Sequence, residues 1–283
     1  MRIWHQSFTD LDRVPIYRAT LTAHAQRVAD PGVAIRVHGL KPGTYGPHLA
    51  PIDAIRHPYV EFLGQSQICE AVLAAERAGY DAFALGCFYD PAIRQARSLV
   101  DIPVVGLSES CMLVACSLGR KFSLVALNDD QAAQHEELAD QYGLRSRLAS
   151  AIAMRPGIDE YMLEADVAAT EAVVAGFRDA CSRAVAAGAE IIIPGDGVLN
   201  EFLYRRGLLE MDGLPIMDAL GTLFRYAIFM ADARRTLGTT VSRRLHYAKP
   251  SPAMLDHARR AAGRSDWRES DFSGVDPQDG PPR

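Results

Sequence analysis

Short apolar runs alternate along the chain with longer segments whose apolar residues recur at helical spacing. The apolar runs predict buried strands at 1–5, 34–38, 82–85, 103–107, 122–127, 191–193 and 214–216. The segments between them predict helices at 16–28, 61–78, 91–100, 110–118, 130–142, 165–187 and 219–237. This alternation is typical of α/β proteins, in which parallel sheets are covered by helices.

One strand-turn unit occurs twice. Residues 78–91 read AGYDAFALGCFYDP, and residues 187–202 read AGAEIIIPGDGVLNEF. In each copy an Ala-Gly pair precedes a short apolar run, and a glycine with one reactive side chain follows it. That side chain is Cys87 in the first copy and Asp196 in the second, at the same distance from the opening glycine. The repeat predicts two similar halves whose equivalent turns face each other across one cleft.

The order of elements predicts two lobes, each with a mostly parallel four-stranded sheet flanked by helices. We expect residues 1–118 together with 216–246 to form the first lobe, and residues 119–215 the second. Residues 247–283 then form a C-terminal extension rich in Pro, Arg and Asp. We expect roughly the last twenty residues of this extension to be poorly ordered or to form an arm on a partner subunit.

Composition argues against several function classes. The chain has 283 residues, of which 48% are hydrophobic and 23% charged, so it can bury a substantial core. A net charge of −5 argues against nucleic acid as a partner. No stretch reaches the ~18 apolar residues of a membrane span, and the opening MRIWHQSF lacks the features of a signal peptide. We therefore expect a cytoplasmic protein without a membrane partner.

The five cysteines do not indicate crosslinks. Their number is odd, and their spacing fits neither a disulfide framework nor a zinc site. Cys69, Cys111, Cys116 and Cys181 fall in predicted helices among apolar residues, where thiols are usually inert. No set of His, Asp and Glu has metal-ligand spacing, and no glycine-rich phosphate or dinucleotide motif is present. We expect neither a metal nor a cofactor.

A long connection rich in Gly, Pro and His runs from residue 39 to residue 58. Connections of this length are often lids or binding loops. Its first part, GLKPGTYG at 39–46, favours a flexible lid over a phosphate-binding loop.

Cys87 and Asp196 both lie where a predicted strand ends, which is where parallel sheets bind ligands. A thiol before a helix N-terminus is expected to have a lowered pKa, and a carboxyl in a partly dry cleft a raised one. Two such groups on opposite faces of a carbon can remove a proton from one side and return one to the other, which racemises a centre beside a carbonyl. The alternatives are a buried core thiol for Cys87, and an Asp-Gly turn or helix cap for Asp196.

Three segments carry a family resemblance: GCFYDP at 86–91, DIPVVGLSES at 101–110 and FSLVALND at 122–129. They resemble the aspartate/glutamate/hydantoin racemase superfamily, and hydantoin racemases in particular. The resemblance implies two α/β lobes related by a pseudo-twofold axis, an active site in the cleft between them, and cofactor-independent racemisation. It also implies one catalytic cysteine in each lobe. Cys87 matches the first of these, whereas the second falls at Asp196.

An aspartate at a catalytic position leaves the reaction open. We expect an isomerase that racemises or epimerises an acidic carbon next to a carbonyl by Cys/Asp acid-base chemistry. Its substrate would be a 5-substituted hydantoin or an amino-acid-like compound. The alternatives are a lyase of the decarboxylase type, or a hydrolase or isomerase in which Cys87 is a nucleophile or proton donor. A binding protein that lost its second cysteine would have no activity.

Substrate contacts are expected from the turns beside the two reactive groups. Backbone amides after the thiol can hold a developing enolate oxygen, and other strand ends supply polar groups. The expected substrate-binding residues are Gln6, Ser7, Phe88, Tyr89, Ser108, Asn128, Gly197 and Val198. A small molecule is the expected partner, and a homo-oligomer is the expected assembly.

Overall fold

The structure, a computed structural model, describes residues 1–46, 49–164 and 167–275. The first sheet consists of four parallel strands: β1 (Arg2–Ser7), β2 (Ala34–His38), β3 (Ala82–Gly86) and β4 (Val104–Gly106). Their order across the sheet is β2-β1-β3-β4. The two central strands, β1 and β3, are buried along nearly their whole length, which explains their continuous apolar sequences.

The second sheet consists of three parallel strands: β5 (Phe122–Ala126), β6 (Leu148–Ala153) and β7 (Ile191–Pro194). Their order is β6-β5-β7. A short antiparallel hairpin follows, formed by β8 (Glu210–Met211) and β9 (Leu214–Pro215). The two-lobed parallel α/β architecture is confirmed, but a fourth strand in the second sheet is represented only by a single bridge between Ile192 and Ile216.

Helices cover both sheets. They are α1 (Pro15–Val28), α2 (Pro51–Ile55), α3 (Pro58–Arg77), α4 (Ile93–Leu99), α5 (Leu107–Leu118), α6 (Asp129–Gln141), α7 (Glu160–Leu163), α8 (Val167–Ala186), α9 (Gly197–Tyr204), α10 (Ala219–Leu237) and α11 (Pro252–Ala261). The predicted start of α8 at residue 165 lies outside the described residues. Within the described ranges, no helix combines the length and hydropathy that crossing a membrane requires.

The turn between β3 and α4 differs from the expected one. Asp90 was predicted to cap a helix beginning at Pro91, but α4 begins at Ile93, and Asp90 and Ala92 have φ angles of 43° and 56°. The Asp90 carboxylate instead accepts hydrogen bonds from the amides at the start of α5. The left-handed turn therefore directs this carboxylate away from its own helix.

Helix α10 returns the chain to the first lobe. It packs against α5, β3 and α1, and Leu220, Leu223 and Phe224 are fully buried in that interface. We therefore propose that residues 216–246 belong to the first lobe, although they follow the second in sequence.

The C-terminal extension folds onto the first lobe of its own chain. Phe272 is 3% exposed and meets the Trp4 ring edge-on at 5.5 Å. The Ser273 hydroxyl accepts a hydrogen bond from the Leu11 amide at 2.9 Å, and the Glu269 carboxylate lies 2.9 Å from His38. The expectation of a poorly ordered tail or a partner arm is therefore wrong up to residue 275, because buried apolar and polar contacts hold the segment. Residues 276–283 lie outside the described residues.

Replacing Phe272 tests this docking. Phe272→Ala should lower the free energy of unfolding by about 3 kcal/mol, because it removes a buried ring and leaves a cavity. Urea denaturation followed by circular dichroism measures the change. Met254→Ala is the matched control, because Met254 is 65% exposed on α11 and should change stability by less than ~0.5 kcal/mol. Equal midpoints for both variants would contradict the docked arrangement.

Candidate active site

A narrow cleft lies between the lobes where β3 and β7 end. Gly86 ends β3 and Cys87 follows it, while Asp196 and Gly197 follow β7. A Cβ atom on Gly197 would lie 3.1 Å from the Tyr17 hydroxyl and 3.7 Å from the Gly86 carbonyl oxygen. The two turns of the repeated unit therefore face each other, and a glycine at 197 permits the close approach.

The cleft is narrow. Its lining residues are Ser7, Phe8, Thr9, Tyr17, Pro51, Ile52, Ile55, Gly86, Cys87, Phe88, Tyr89, Gln131, Glu160, Asp196, Gly197 and Val198. Its volume of about 40 Å³ has room for only a few water molecules. The structure thus brings together seven of the residues expected from the sequence: Ser7, Cys87, Phe88, Tyr89, Asp196, Gly197 and Val198.

Three expected substrate-binding residues do not line the cleft. Gln6 accepts a hydrogen bond from the Trp4 indole at 3.0 Å, because alternate residues of β1 face opposite sides of the sheet. Ser108 is fully buried in the first turn of α5. The Asn128 side chain caps α6 by accepting a hydrogen bond from the Gln131 amide at 2.9 Å. Gln6 and Asn128 therefore have structural partners away from the cleft, whereas the Ser108 hydroxyl is buried without a hydrogen-bond partner among the described residues.

The cover of the cleft is helix α2, with Pro51, Ile52 and Ile55 on its lining. The segment 39–46, expected to be the lid, is instead tied to the first lobe. Its Gly43 amide donates to Asp10 at 2.7 Å, and its Tyr45 hydroxyl donates to the Phe8 carbonyl at 2.9 Å. The later part of the long connection, not its glycine-rich start, closes the site.

Cys87 is a neutral thiol in this environment. Burial raises its pKa well above the ordinary value, and the nearby Asp196 charge raises it further, while a hydrogen bond from the Tyr89 amide opposes both. The expectation of a lowered pKa is wrong, because α4 begins only at Ile93 and its N-terminus does not lie directly beyond the thiol. A raised pKa favours the protonated thiol, which can donate a proton, over a nucleophilic thiolate.

Asp196 is both a helix cap and a cleft residue. Its Oδ1 atom accepts hydrogen bonds from the Val198 amide at 2.8 Å and the Leu199 amide at 3.0 Å, which caps α9. Burial raises the pKa of Asp196, and these amides together with the Gln131 side chain lower it. The alternative expected from the sequence, a helix cap, is therefore correct but incomplete, because the Asp196 carboxyl group also lines the cleft.

Gln131 is a cleft residue that sequence reasoning missed. Its Oε1 accepts a hydrogen bond from the Leu127 amide at 2.7 Å, which fixes the orientation of the side-chain amide. The amide nitrogen is then left to donate to Asp196 and Tyr89. The sequence could have indicated Gln131, because it lies in the first turn of α6, only three residues after the Asn128 cap.

Glu160 and Tyr17 were also missed. Glu160 is the first residue of α7 and is 5% exposed; burial and the Asp196 charge raise its pKa. Tyr17 is 1% exposed on α1 and is hydrogen-bonded to Ser7; burial raises its pKa well above the usual value. Neither residue lies at a strand end, so no spacing rule pointed to it.

The cleft is acidic and lacks basic side chains. Its described lining contains two carboxyl groups, Asp196 and Glu160, but no Lys, Arg or His. In the described part of the chain, no three His, Cys, Asp or Glu side chains cluster closely enough to hold a metal ion. What the arrangement offers chemically is a thiol on one wall and carboxyl groups on the other.

The comparisons with known proteins agree with this geometry. A family model described as Asp/Glu/Hydantoin racemase matches residues 16–225. The chain is 30% identical over 221 residues to the hydantoin racemase of Pseudomonas sp. (strain NS671), covering 77% of this chain and 84% of that protein. It is 28% identical over 231 residues to the hydantoin racemase of Paenarthrobacter aurescens, covering 81% and 93%.

Solved structures show the same fold. Allantoin racemase from Klebsiella pneumoniae superposes with a TM-score of 0.72 at 23% identity, over 89% of this chain and 94% of that one. The resemblance found in the three sequence segments is thus confirmed over most of the chain. The chain belongs to the Asp/Glu/hydantoin racemase family and is an enzyme of the isomerase class.

Proposed function

We propose that this enzyme is a cofactor-independent racemase of 5-substituted hydantoins, with Cys87 and Asp196 as its acid-base pair. The observation that carries the proposal is the face-to-face placement of the two turns, which puts a neutral thiol and a carboxyl group in one cleft. The hydantoin racemases that match the chain support the same substrate class.

The proposed reaction is a proton exchange across one carbon. The Asp196 carboxylate removes the proton from C5 of the substrate on one face, and the electron pair moves into the adjacent carbonyl to give an enolate. The Cys87 thiol then donates its proton to C5 from the opposite face, which leaves a thiolate and a carboxylic acid. In the reverse direction the thiolate is the base and the carboxylic acid is the donor, so both hands of the substrate are converted.

Backbone amides have two tasks in this scheme. The Tyr89 amide donates to Cys87 and the Val198 amide donates to Asp196, so these two hold the reacting groups in place. We propose that the Phe88 and Gly197 amides donate hydrogen bonds to the enolate oxygen. Phe88 lies between Cys87 and Tyr89, and Gly197 lies between Asp196 and Val198, on the two facing turns.

The charge of the cleft favours a neutral substrate. The lining contains two carboxyl groups and, in its described part, no cation to pair with a substrate carboxylate. An amino acid or a malonate would place its own negative charge against them without compensation. A hydantoin ring is uncharged, and Phe8, Ile52 and Ile55 offer apolar contacts to its 5-substituent. The same argument disfavours the malonate decarboxylase alternative.

The assembly and location remain predictions. Tyr59 and Phe62 at the start of α3 are 72% and 58% exposed. Such exposed rings are common where chains associate, which supports the proposed homo-oligomer. We also propose the cytoplasmic location expected from the sequence.

A substrate panel tests the proposal directly. We expect interconversion of the two hands of a 5-substituted hydantoin, measured by chiral chromatography, and no change of mass. Aspartate and aryl malonates should react more slowly by at least ~100-fold in kcat/KM, because their carboxylates find no cation in the cleft. Release of carbon dioxide from a malonate, with no hydantoin racemisation, would contradict the proposed function.

Isotope exchange in variants separates the two proposed proton carriers. Cys87→Ala should lower racemisation by more than ~10³-fold, yet should still exchange the C5 proton for deuterium in one hand of the hydantoin through Asp196. Asp196→Asn should show exchange in the other hand only, and only at alkaline pH where Cys87 forms a thiolate, because the amide cannot carry a proton and the thiol is protonated at neutral pH. Cys116→Ala, on the outer part of α5, is the control and should behave as the wild type. Exchange in both hands by either variant would contradict the assignment.

The raised pKa of Cys87 predicts slow alkylation. Because the thiol stays protonated until the pH exceeds its raised pKa, its iodoacetamide labelling at pH 7 should be slower than that of a free thiol, and should increase only at a higher pH than the labelling of a free thiol does. Peptide mass spectrometry of the labelled protein measures each cysteine separately. Fast labelling of Cys87 at pH 7 would show a thiolate and favour the nucleophilic alternative.

A further inference from the structure

Glu160 is a buried acid at the cleft with an unexplained oxygen atom. It begins α7, whose N-terminus is capped by the neighbouring Asp159 side chain through the Met162 amide at 2.9 Å. The Glu160 side chain lines the cleft together with Asp196. Its Oε2 atom is buried and has no hydrogen-bond partner among the described residues. A buried polar atom of this kind requires an explanation, because leaving it unpaired is costly.

The groups around Glu160 do not neutralise a negative charge. Its carboxyl group accepts hydrogen bonds from the backbone amide of Ile52, on the covering helix α2, and from its own amide. The charged groups that act on it are the carboxyls of Asp196 and Asp159. The guanidinium of Arg205 binds the Leu163 carbonyl at the far end of α7. Two carboxyls thus share a dry site.

Two carboxyl groups in such a site cannot both ionise readily. The first ionisation is eased when the remaining acid donates a hydrogen bond to the new carboxylate, and the second is opposed by the like charge. A protonated Glu160 is also the less costly form to bury, because an unpartnered Oε2 atom of a charged carboxylate would lose its hydration without compensation. Burial of Tyr45 and Tyr89 beside the same site leaves both as neutral phenols at neutral pH.

We propose that Glu160 and Asp196 hold one proton between them, with Glu160 as the carboxylic acid and Asp196 as the carboxylate that takes the substrate proton. Glu160 is then a positioning residue, since it acts through Asp196. The inference rests on the proposed function for its catalytic meaning, but the shared proton itself is a property of the resting enzyme.

The pH profile of kcat/KM is the first readout. In the wild type, loss of the shared proton adds a second negative charge beside the enolate, so activity should fall on the alkaline side. Glu160→Gln keeps a neutral hydrogen-bond donor and should retain activity near neutral pH while losing this alkaline decline. Glu160→Ala removes the donor and should lower kcat/KM by about 10- to 100-fold. A profile of Glu160→Gln that superimposes on the wild type would overturn the proposal.

Infrared difference spectroscopy tests the shared proton without any substrate. The wild type minus Glu160→Gln spectrum should contain the C=O stretch of a protonated carboxyl at neutral pH, which disappears on alkaline titration. Asp159→Asn is the matched control: it removes a carboxylate one residue away, outside the cleft lining, and should leave that stretch in place. Absence of the protonated band at neutral pH overturns the shared proton. If the band is present but no hydantoin is racemised, the proposed function fails while the carboxyl pair stands.

Discussion

The two lobes are joined by a buried charged network on which the position of the cleft depends. His24 of α1 lies between Glu201 of α9, at 2.7 Å, and Asp218 before α10, at 2.9 Å. Burial lowers the pKa of His24, but hydrogen bonds to the two carboxyls outweigh it and raise the pKa to about 9. The imidazolium therefore stays charged at neutral pH. Breaking such a buried pair costs about 3–5 kcal/mol, because it leaves an uncompensated charge.

This network determines where the second reactive group stands. Glu201 lies little more than one turn along α9 from Asp196, which caps the same helix. Holding Glu201 against the first lobe therefore also holds Asp196 at its distance from Cys87. A second hydrogen bond also joins the two lobes: the Tyr142 hydroxyl, at the end of α6, donates to the Asp90 carboxylate of the first lobe at 2.6 Å. The close approach at Gly197 is possible because both links keep the lobes together.

Features that depend on local sequence pattern were predicted correctly, whereas contacts between segments that are distant in sequence were not. Continuous apolar strands and the repeated turn were recognised because they follow from burial and from residue order. Strand β6 was missed, since four of the six residues in its LASAIA sequence are Ala or Ser, which carry little strand preference. Glu160 was missed because it reaches the cleft from the short helix α7. Gln6 was expected in the cleft but lies on the other face of β1, since the sequence of one strand does not show which of its faces meets the cleft.

Burial, more than residue identity, determines the chemistry that this cleft can support. A helix N-terminus next to Cys87 would have stabilised a thiolate, and a nucleophilic mechanism would have followed. The turn through Asp90 and Ala92 instead delays α4, so desolvation dominates and the thiol keeps its proton. Asp196 keeps hydrogen bonds from two amides that favour its charged form. The cleft therefore has a thiol that burial keeps protonated on one wall and a carboxyl group bonded by two amides on the other, an asymmetry that is consistent with the proposed transfer of a proton across a carbon.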